Sequence, residues 1–395
     1  MYLFGFFREL KILLIIFALG LILLFSNCGR NDKYFEQISW GKEEFLREYP
    51  IFSFVNNSFI LRPGTYNIDD NIVVPKGFSL RIEAGAKLKM GKGIWIVSYS
   101  PVEILGTDSQ PVFILAQDKS NPWGVFAIQE SPERSVVQYA KFENGSEAII
   151  NGGHYSGMLA AHYSDIEVAD CIFQDANGND ALNVKNARAI ITNNYFYKNK
   201  FDAIDLDDGA EGEIDSNYFV DNGDDSIDLA IVSNLMVKNN YVRESGGLCL
   251  GIDGKSENVV IFNNLFKDCV SGISLVDNSR IKLINNTIIG NQTGIVVSMG
   301  EPILYKAELA IYNTIIWDNG QSIISDEKSN FRVTNSSIKG GWPGDNNLES
   351  SPNYDDNYIS SLGGGDSNIV NTIFNQDYQA INLGIISPAW SRLPF

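Results

Sequence analysis

The sequence predicts an all-β solenoid, a parallel β-helix with an N-terminal capping helix, and three observations lead there. The strings Asn194-Tyr195-Phe196, Asn217-Tyr218-Phe219, Asn240-Tyr241-Val242, Asn264-Leu265-Phe266, Asn286-Thr287-Ile288 and Asn313-Thr314-Ile315 recur at spacings of 23, 23, 24, 22 and 27 residues. Inside each unit, short strings such as Ala203-Ile204-Asp205-Leu206 and Gly272-Ile273-Ser274-Leu275 alternate with the period of two that marks a strand with one buried face. Gly, Asn and Asp punctuate the gaps between them. A period of 22 to 24 with short strands and tight turns is too short for a helical repeat pair and matches one coil of a parallel β-helix. The L-x-x-L-x-L pattern of the competing leucine-rich solenoid is missing.

Composition agrees. The 395 residues are 44% apolar, enough for a large core, and include 40 asparagines. In stacked coils each residue sits over its counterpart at about 4.8 Å. Asparagine at a turn then bonds its own backbone and stacks amide on amide, so the Asn column reads as turn architecture. With 48 acidic against 30 basic side chains the net charge is -18. That excludes nucleic acid as an expected partner, because such affinity comes from Lys and Arg displacing counterions.

The chain opens with Arg8 and Lys11, then an apolar run of 14 residues, 12–25. As a helix this run spans about 21 Å, short of the roughly 30 Å hydrocarbon core, so it reads as a signal segment. Phe25-Ser26-Asn27-Cys28 resembles a bacterial lipobox, which implies lipidation of Cys28, a membrane held through that lipid anchor, and a place in the bacterial cell envelope, at the outer membrane or surface. The organisation expected is a lipoprotein signal peptide (1–27), a lipidated linker and capping helix (28–57), the β-helix (58–340) and a closing segment (341–395). The capping helix is placed at 35–49, with Phe35, Ile38, Phe45 and Leu46 on one face. Cys171, Cys249 and Cys269 lack C-x-x-C spacing and read as buried free thiols, with no disulfide framework.

Pro63-Gly64-Thr65-Tyr66, Ile82-Glu83-Ala84-Gly85-Ala86, Pro111-Val112-Phe113 and Trp123-Gly124-Val125 look like opening coils of a known family. Asn347-Leu348-Glu349, Pro352-Asn353-Tyr354 and Ser387-Pro388-Ala389 are similar to its closing segment. Over residues 58–390 the chain thus resembles the pectin-lyase-like right-handed parallel β-helix proteins. The resemblance implies a right-handed coil and leaves activity to the site.

Charge is concentrated in the middle coils, where residues 170–228 carry 14 acids and 4 bases. Aligning successive units stacks Glu147, Asp180, Asp202 and Asp225 in one outward column and Asn183, Asp205 and Asp228 in another. Three readings fit. The columns form a solvated acidic face of a non-catalytic surface protein, an adhesin or structural partner. Alternatively Asp205, Asp207, Asp208 and Asp228 bind calcium, whose hardness suits several oxygen ligands. The third reading is cleavage of a polysaccharide by a hydrolase or lyase. For this, Asp202, Asp224 and Asp225 resemble the aspartates of polygalacturonase motifs, with Gly247-Leu248 standing where that family has His-Gly. The resemblance implies that these three are catalytic, protonating the leaving oxygen and activating water. Glu147, Asp180, His154 and Lys185 are the candidate substrate-binding residues, Lys185 also being the nearest candidate lyase base. His154 and His162 are assigned to an insertion, 152–163, that hangs over the columns, and Tyr195, Tyr197, Tyr218 and Tyr241 are candidate sugar platforms.

Overall fold

The computed structural model describes residues 32–276, 279–298, 307–326, 329–374 and 382–385. The signal segment and Cys28 lie outside the described residues. Among the described residues no helix is long and apolar enough to cross a membrane.

The chain winds through three sheets of 13, 12 and 11 strands, and apart from the opening antiparallel pair Ser53–Val55 with Ser58–Leu61 their strands pair with counterparts in neighbouring coils. Arg188–Thr192, Tyr195–Tyr197 and Asp202–Asp207 form one coil, and they pair in parallel with Glu211–Asp215, Tyr218–Val220 and Ile227–Ala230 of the next. We call the sheets holding these three strands the first, second and third. The expected parallel β-helix is therefore what the chain builds, and alternation explains its core. Phe142, Phe173, Phe196 and Phe219 point inward, fully buried, with successive ring centroids 5.1, 4.9 and 4.9 Å apart. That spacing is the strand separation itself.

Asparagine serves two structural ends. At the corner from first to second sheet, Asp170, Asn193, Ser216, Asn239, Asn263, Asn285 and Asn313 all have positive φ, from 52° to 58°, a left-handed conformation that Asn and Asp tolerate best among residues with a Cβ. The residue that follows is the stacked one. Asn194, Asn217, Asn240, Asn264 and Asn286 are buried. Each Oδ1 from Asn217 onward accepts the backbone N–H and the Nδ2 of the preceding asparagine, at 2.8–3.1 Å. The last repeat shifts by one relative to the sequence alignment. Thr287 pairs with Ile315, so Thr314 takes the ladder position, its Oγ1 accepting from the Asn286 N–H, while Asn313 is the corner residue. A second ladder, Asn199 to Asn222 and Asn291 to Asn319, links coils at the next corner.

Three expectations are corrected. The single capping helix is two, α1 (Asp32–Gln37) and α2 (Lys42–Glu48), because Gly41 interrupts the run and its N–H is taken by the Glu44 carboxylate at 3.1 Å. Phe35 is left 52% exposed, and the plug over the solenoid's end is Phe45, fully buried with its ring 3.9 Å from that of Phe59. Cys249 and Cys269 form a disulfide, and Cys171 alone of the described cysteines is a buried free thiol. Leu248 pairs with Ser271, so Cys269 sits at the corner just before the next strand rather than over Cys249 in register, and the corner brings their Cα atoms to 5.7 Å.

The closing segment wraps back along the solenoid. Its helix α3 (Ser367–Phe374) sets Val370 against Phe262 and Ile284 on the first sheet, and Ile385 packs on Tyr241 and Leu265 of the second. Neither contact reaches the acidic strands of the third sheet.

Asn217→Ala should lower stability by on the order of 3 kcal/mol in urea denaturation, since it strands several buried donors and acceptors at once. A loss below about 0.5 kcal/mol would mean that the ladder is ornamental.

Candidate functional site

The middle coils of the third sheet carry the acids. Asp180 pairs with Asp202, Asn183 with Asp205 and Lys185 with Asp207, and Asp205 then pairs with Asp228. The Asp225 N–H donates to the Asp202 carboxylate at 2.9 Å, which continues the first column. Leu182, Val184, Ile204, Leu206, Ile227 and Leu229 are fully buried on the inner face, and alternation sends Asn183, Asp205 and Asp228 between them to the outer face, while Asp180 and Asp202 reach the cleft from the first position of their strands. Both columns therefore stand as aligned from Asp180 and Asn183 downward.

Above them the alignment fails. The partner of Asp180 is Gly157, not Glu147. Glu147 is exposed at the base of an antiparallel hairpin, Ala148–Ile150 with Gly153–Tyr155, which occupies the length that would otherwise have continued the column. His154 on this hairpin lies 3.2 Å from the Glu147 carboxylate and borders the acids, as expected of the insertion. His162 does not belong to the insertion. It ends the regular strand Gly157–His162, buried, stacked on Tyr155 and 2.7 Å from Asn183 Oδ1. Burial holds its pKa below the usual histidine range against the Asn183 contact, so it is a neutral packing residue.

The acids are solvated to different degrees, Asp208 and Asp224 exposed and Asp202, Asp205, Asp225 and Asp228 half-buried. Asp180 is 3% exposed and Asn183 fully buried, and Asp180, Asp202 and Asp205 line an open cleft of about 350 Å³. Asp224, His154, Lys185 and Phe201 complete its walls. Two carboxylates about 5 Å apart repel by roughly 3 kcal/mol at an effective dielectric near 20. Burial adds to that, and the carboxyls respond by holding protons. Burial first, then the charges of neighbouring acids, raises Asp205 to about 10 and Asp228 to about 7. Asp202 rises to about 8, chiefly by burial, against the Asp225 N–H bond that favours its charged form. Asp225 rises only to about 6, since the Leu248 N–H bonds its charged form at 2.7 Å. Asp180 reaches about 6, burial again leading.

Asp202, Asp224 and Asp225 offer carboxylate oxygens that all lie within 4.8 Å of one another, close enough to hold a metal ion. The quartet read as a calcium site does not gather in this way. Asp208 is exposed at a turn, Asp207 is held by Lys185 at 2.6 Å, and Asp205 accepts from Asn183 at 2.8 Å. Lys185 keeps its proton and is poorly available as a general base. Although burial works against its charge, Asp207 and its acidic neighbours raise its pKa above the usual lysine value. The four tyrosines lie on the second sheet, where Tyr195, Tyr218 and Tyr241 stack along the coils. The aromatic ring at the cleft is Phe201, 38% exposed. Its position directly before Asp202, at the corner between sheets, was the available signal. Gly247 and Gly251 keep the carboxylates clear: a Cβ on Gly247 would fall 2.4 Å from oxygens of both Asp224 and Asp225, and one on Gly251 3.0 Å from Asp225.

Residues 156–309 match the family described as "Right handed beta helix region", a span that contains the acidic columns. Over that span the match agrees with the stacked parallel coils described above. Among solved structures it is similar to the periplasmic alginate epimerase AlgG, at 14% identity over 74% of this chain and 82% of that one, TM-score 0.44. It is also similar to the Dettilon tailspike protein, at 13% identity over 73% of this chain and 60% of that one, TM-score 0.45. For the A-module of the Azotobacter vinelandii mannuronan C-5 epimerase AlgE4 the identity is 14%, over 74% of this chain and 91% of that one, TM-score 0.32. These likenesses concern the fold. No curated protein matches the sequence.

Because the folded state raises the Asp205 pKa to about 10, its contribution to stability is full at pH values below the unfolded carboxyl pKa and is lost as pH rises toward the folded one. Asp205→Asn, which keeps an acceptor for Asn183, should therefore raise the thermal midpoint at pH 8 and leave it unchanged near pH 3.5. An equal effect at both pH values would refute the buried-proton account.

Proposed function

We propose that this protein binds and hydrolyses a glycan in the third-sheet cleft, in the bacterial envelope and anchored through a lipid on Cys28. The observation that carries the reading is the convergence of Asp202 and Asp224, which line an open cleft, with Asp225, whose carboxylate lies within 4.8 Å of both, in surroundings that separate the protonation of Asp202 from that of Asp225. Burial keeps the proton on Asp202 at neutral pH, which suits it to protonate a leaving glycosidic oxygen. Asp225, ionised more readily and held by the Leu248 N–H, with the exposed Asp224 beside it, suits activation of water. Two carboxyls with separated pKa values are what such cleavage requires. The raised pKa of Lys185 favours hydrolysis over a lysine-based lyase. An extracytoplasmic setting is supported by the Cys249–Cys269 disulfide.

A calcium-binding, non-catalytic face is the second reading, favoured by the same 4.8 Å trio. The two part experimentally. Hydrolysis predicts release of reducing ends from a polysaccharide panel without absorbance at 235 nm. The rate should be bell-shaped in pH, rising through about 6 and falling through about 8 as Asp225 and then Asp202 ionise. Asp202→Asn should cost about 10²–10⁴ in rate. Silence across the panel together with a calcium-dependent rise in thermal midpoint that Asp224→Asn abolishes would transfer the site to calcium. A radioactive fatty acid should label the full chain and not Cys28→Ala, and label retained on that variant would remove the anchor.

A further inference from the structure

The outer face of the third sheet changes character where the acids begin. One outward column runs through Val73, Val97, Ala127, Ala160, Asn183 and Asp205 in continuous register. Its first four members are apolar, and none of them is exposed. They belong to a hydrophobic cluster outside the solenoid's core, closed by Ile150 and Tyr155 of the hairpin and by Tyr34 and Ile38 at α1. Hydrogen bonds tie the hairpin down in the same place. Asn151 Nδ2 donates to the Tyr99 hydroxyl at 3.1 Å, and the Tyr155 hydroxyl donates to Gln129 Oε1 at 2.9 Å. The hairpin thus covers the sheet up to the coil of Gly157, which pairs with Asp180, and His154 and Ser156 line the cleft at that border.

On the other side of the acids the face continues uncovered. The column runs on from Asp228 through Gly251, Ser274 and Val296, the last two partly exposed. At the corner beside it, backbone hydrogen bonds link Phe201, Asp224, Gly247 and Val270 in succession. Phe201 and Val270 are 38% and 39% exposed, and Gly247 leaves a gap between them. Among the described residues, therefore, the cleft is blocked along the solenoid axis at the hairpin and open in the opposite direction. Asp202 lies two coils from Gly157, about 10 Å, which is the length of a disaccharide.

We infer that the hairpin is an end wall: a glycan enters from the carboxy-terminal side with one chain end against His154, and the protein removes mono- or disaccharides from that end rather than cutting within the chain. The inference rests on the hydrolytic reading of the cleft and specifies how that site acts. The bond chemistry is unchanged. The glycosidic C–O bond breaks, a C–O bond to water forms, the leaving oxygen takes the Asp202 proton and the Asp225 carboxylate takes the proton of the water.

The full chain is incubated with polygalacturonate, alginate, xylan and amylose, and reducing ends, viscosity and product length are followed together. Where reducing ends appear, mono- and disaccharides should be the products from the earliest time, with viscosity nearly constant. A fast fall in viscosity with oligosaccharides of mixed length overturns the inference and leaves hydrolysis standing. Two variants test the wall itself. One joins Ala148 to Tyr155 through an Asn-Gly turn in place of residues 149–154, which keeps their pairing. The other, His154→Gly, trims the wall and leaves Ile150 and Tyr155 in their packing. Either should shift the products to longer oligosaccharides, and mono- and disaccharide release unchanged in both overturns the inference. Absence of reducing ends from all four polymers removes the hydrolytic reading and the inference together.

Discussion

Everything in this protein depends on coil-on-coil register. Backbone hydrogen bonds between parallel strands place each residue directly over its equivalent one coil away, so a choice made at one position is repeated as a column of like side chains. Where the column is apolar, the repetition stabilises: the phenylalanine stack from Phe142 to Phe219 is buried without gaps at the strand spacing. Where it is an amide, each asparagine is donor to one neighbour and acceptor from another, and the buried polar groups satisfy one another along the axis.

The same register makes the acidic columns expensive. Asp180 over Asp202 over Asp225, beside Asp205 over Asp228, sets like charges at strand spacing in partial burial. The carboxyls relieve this by keeping protons, each to a degree set by its own surroundings. Asp225 receives the Leu248 N–H and stays the more acidic, whereas Asp205, buried and then crowded by three other aspartates, is driven furthest. Strain of this kind belongs with function rather than folding, since neutral residues in these columns would satisfy the solenoid equally well. Elsewhere on the sheet they do: Gly157 and Ala160 stand above the acids and Gly251 below.

Access to the acids follows from how the ends of the chain are disposed. Phe45 closes the amino-terminal end, and α3 with Ile385 lies along the first and second sheets. The hairpin bearing His154 stands at one border of the cleft, and the glycines at 247 and 251 keep backbone rather than side chain over the carboxylates. A cleft on a rigid sheet, with positions fixed by ladder hydrogen bonds, needs little reorganisation to present several carboxyls to one ligand.

The sequence by itself determined the solenoid, its coil length, its inward and outward faces, and the two columns from Asp180 and Asn183 downward, because period and alternation are local properties written into every repeat. The resemblance to polygalacturonase motifs singled out Asp202, Asp224 and Asp225, and the coil register is what makes them neighbours. The sequence misplaced what depends on departures from the repeat. Glu147 left its column because a hairpin intervenes, His162 proved to be a regular strand residue, and Asn313 moved one place to a left-handed corner. Only the tertiary structure decided that Cys249 and Cys269 are bonded, that the tyrosines lie on a different sheet from the acids, and that Asp180 is enclosed. Those features arise where insertions, corners and burial set distances between residues that the period does not relate, and a one-dimensional pattern carries no record of such distances.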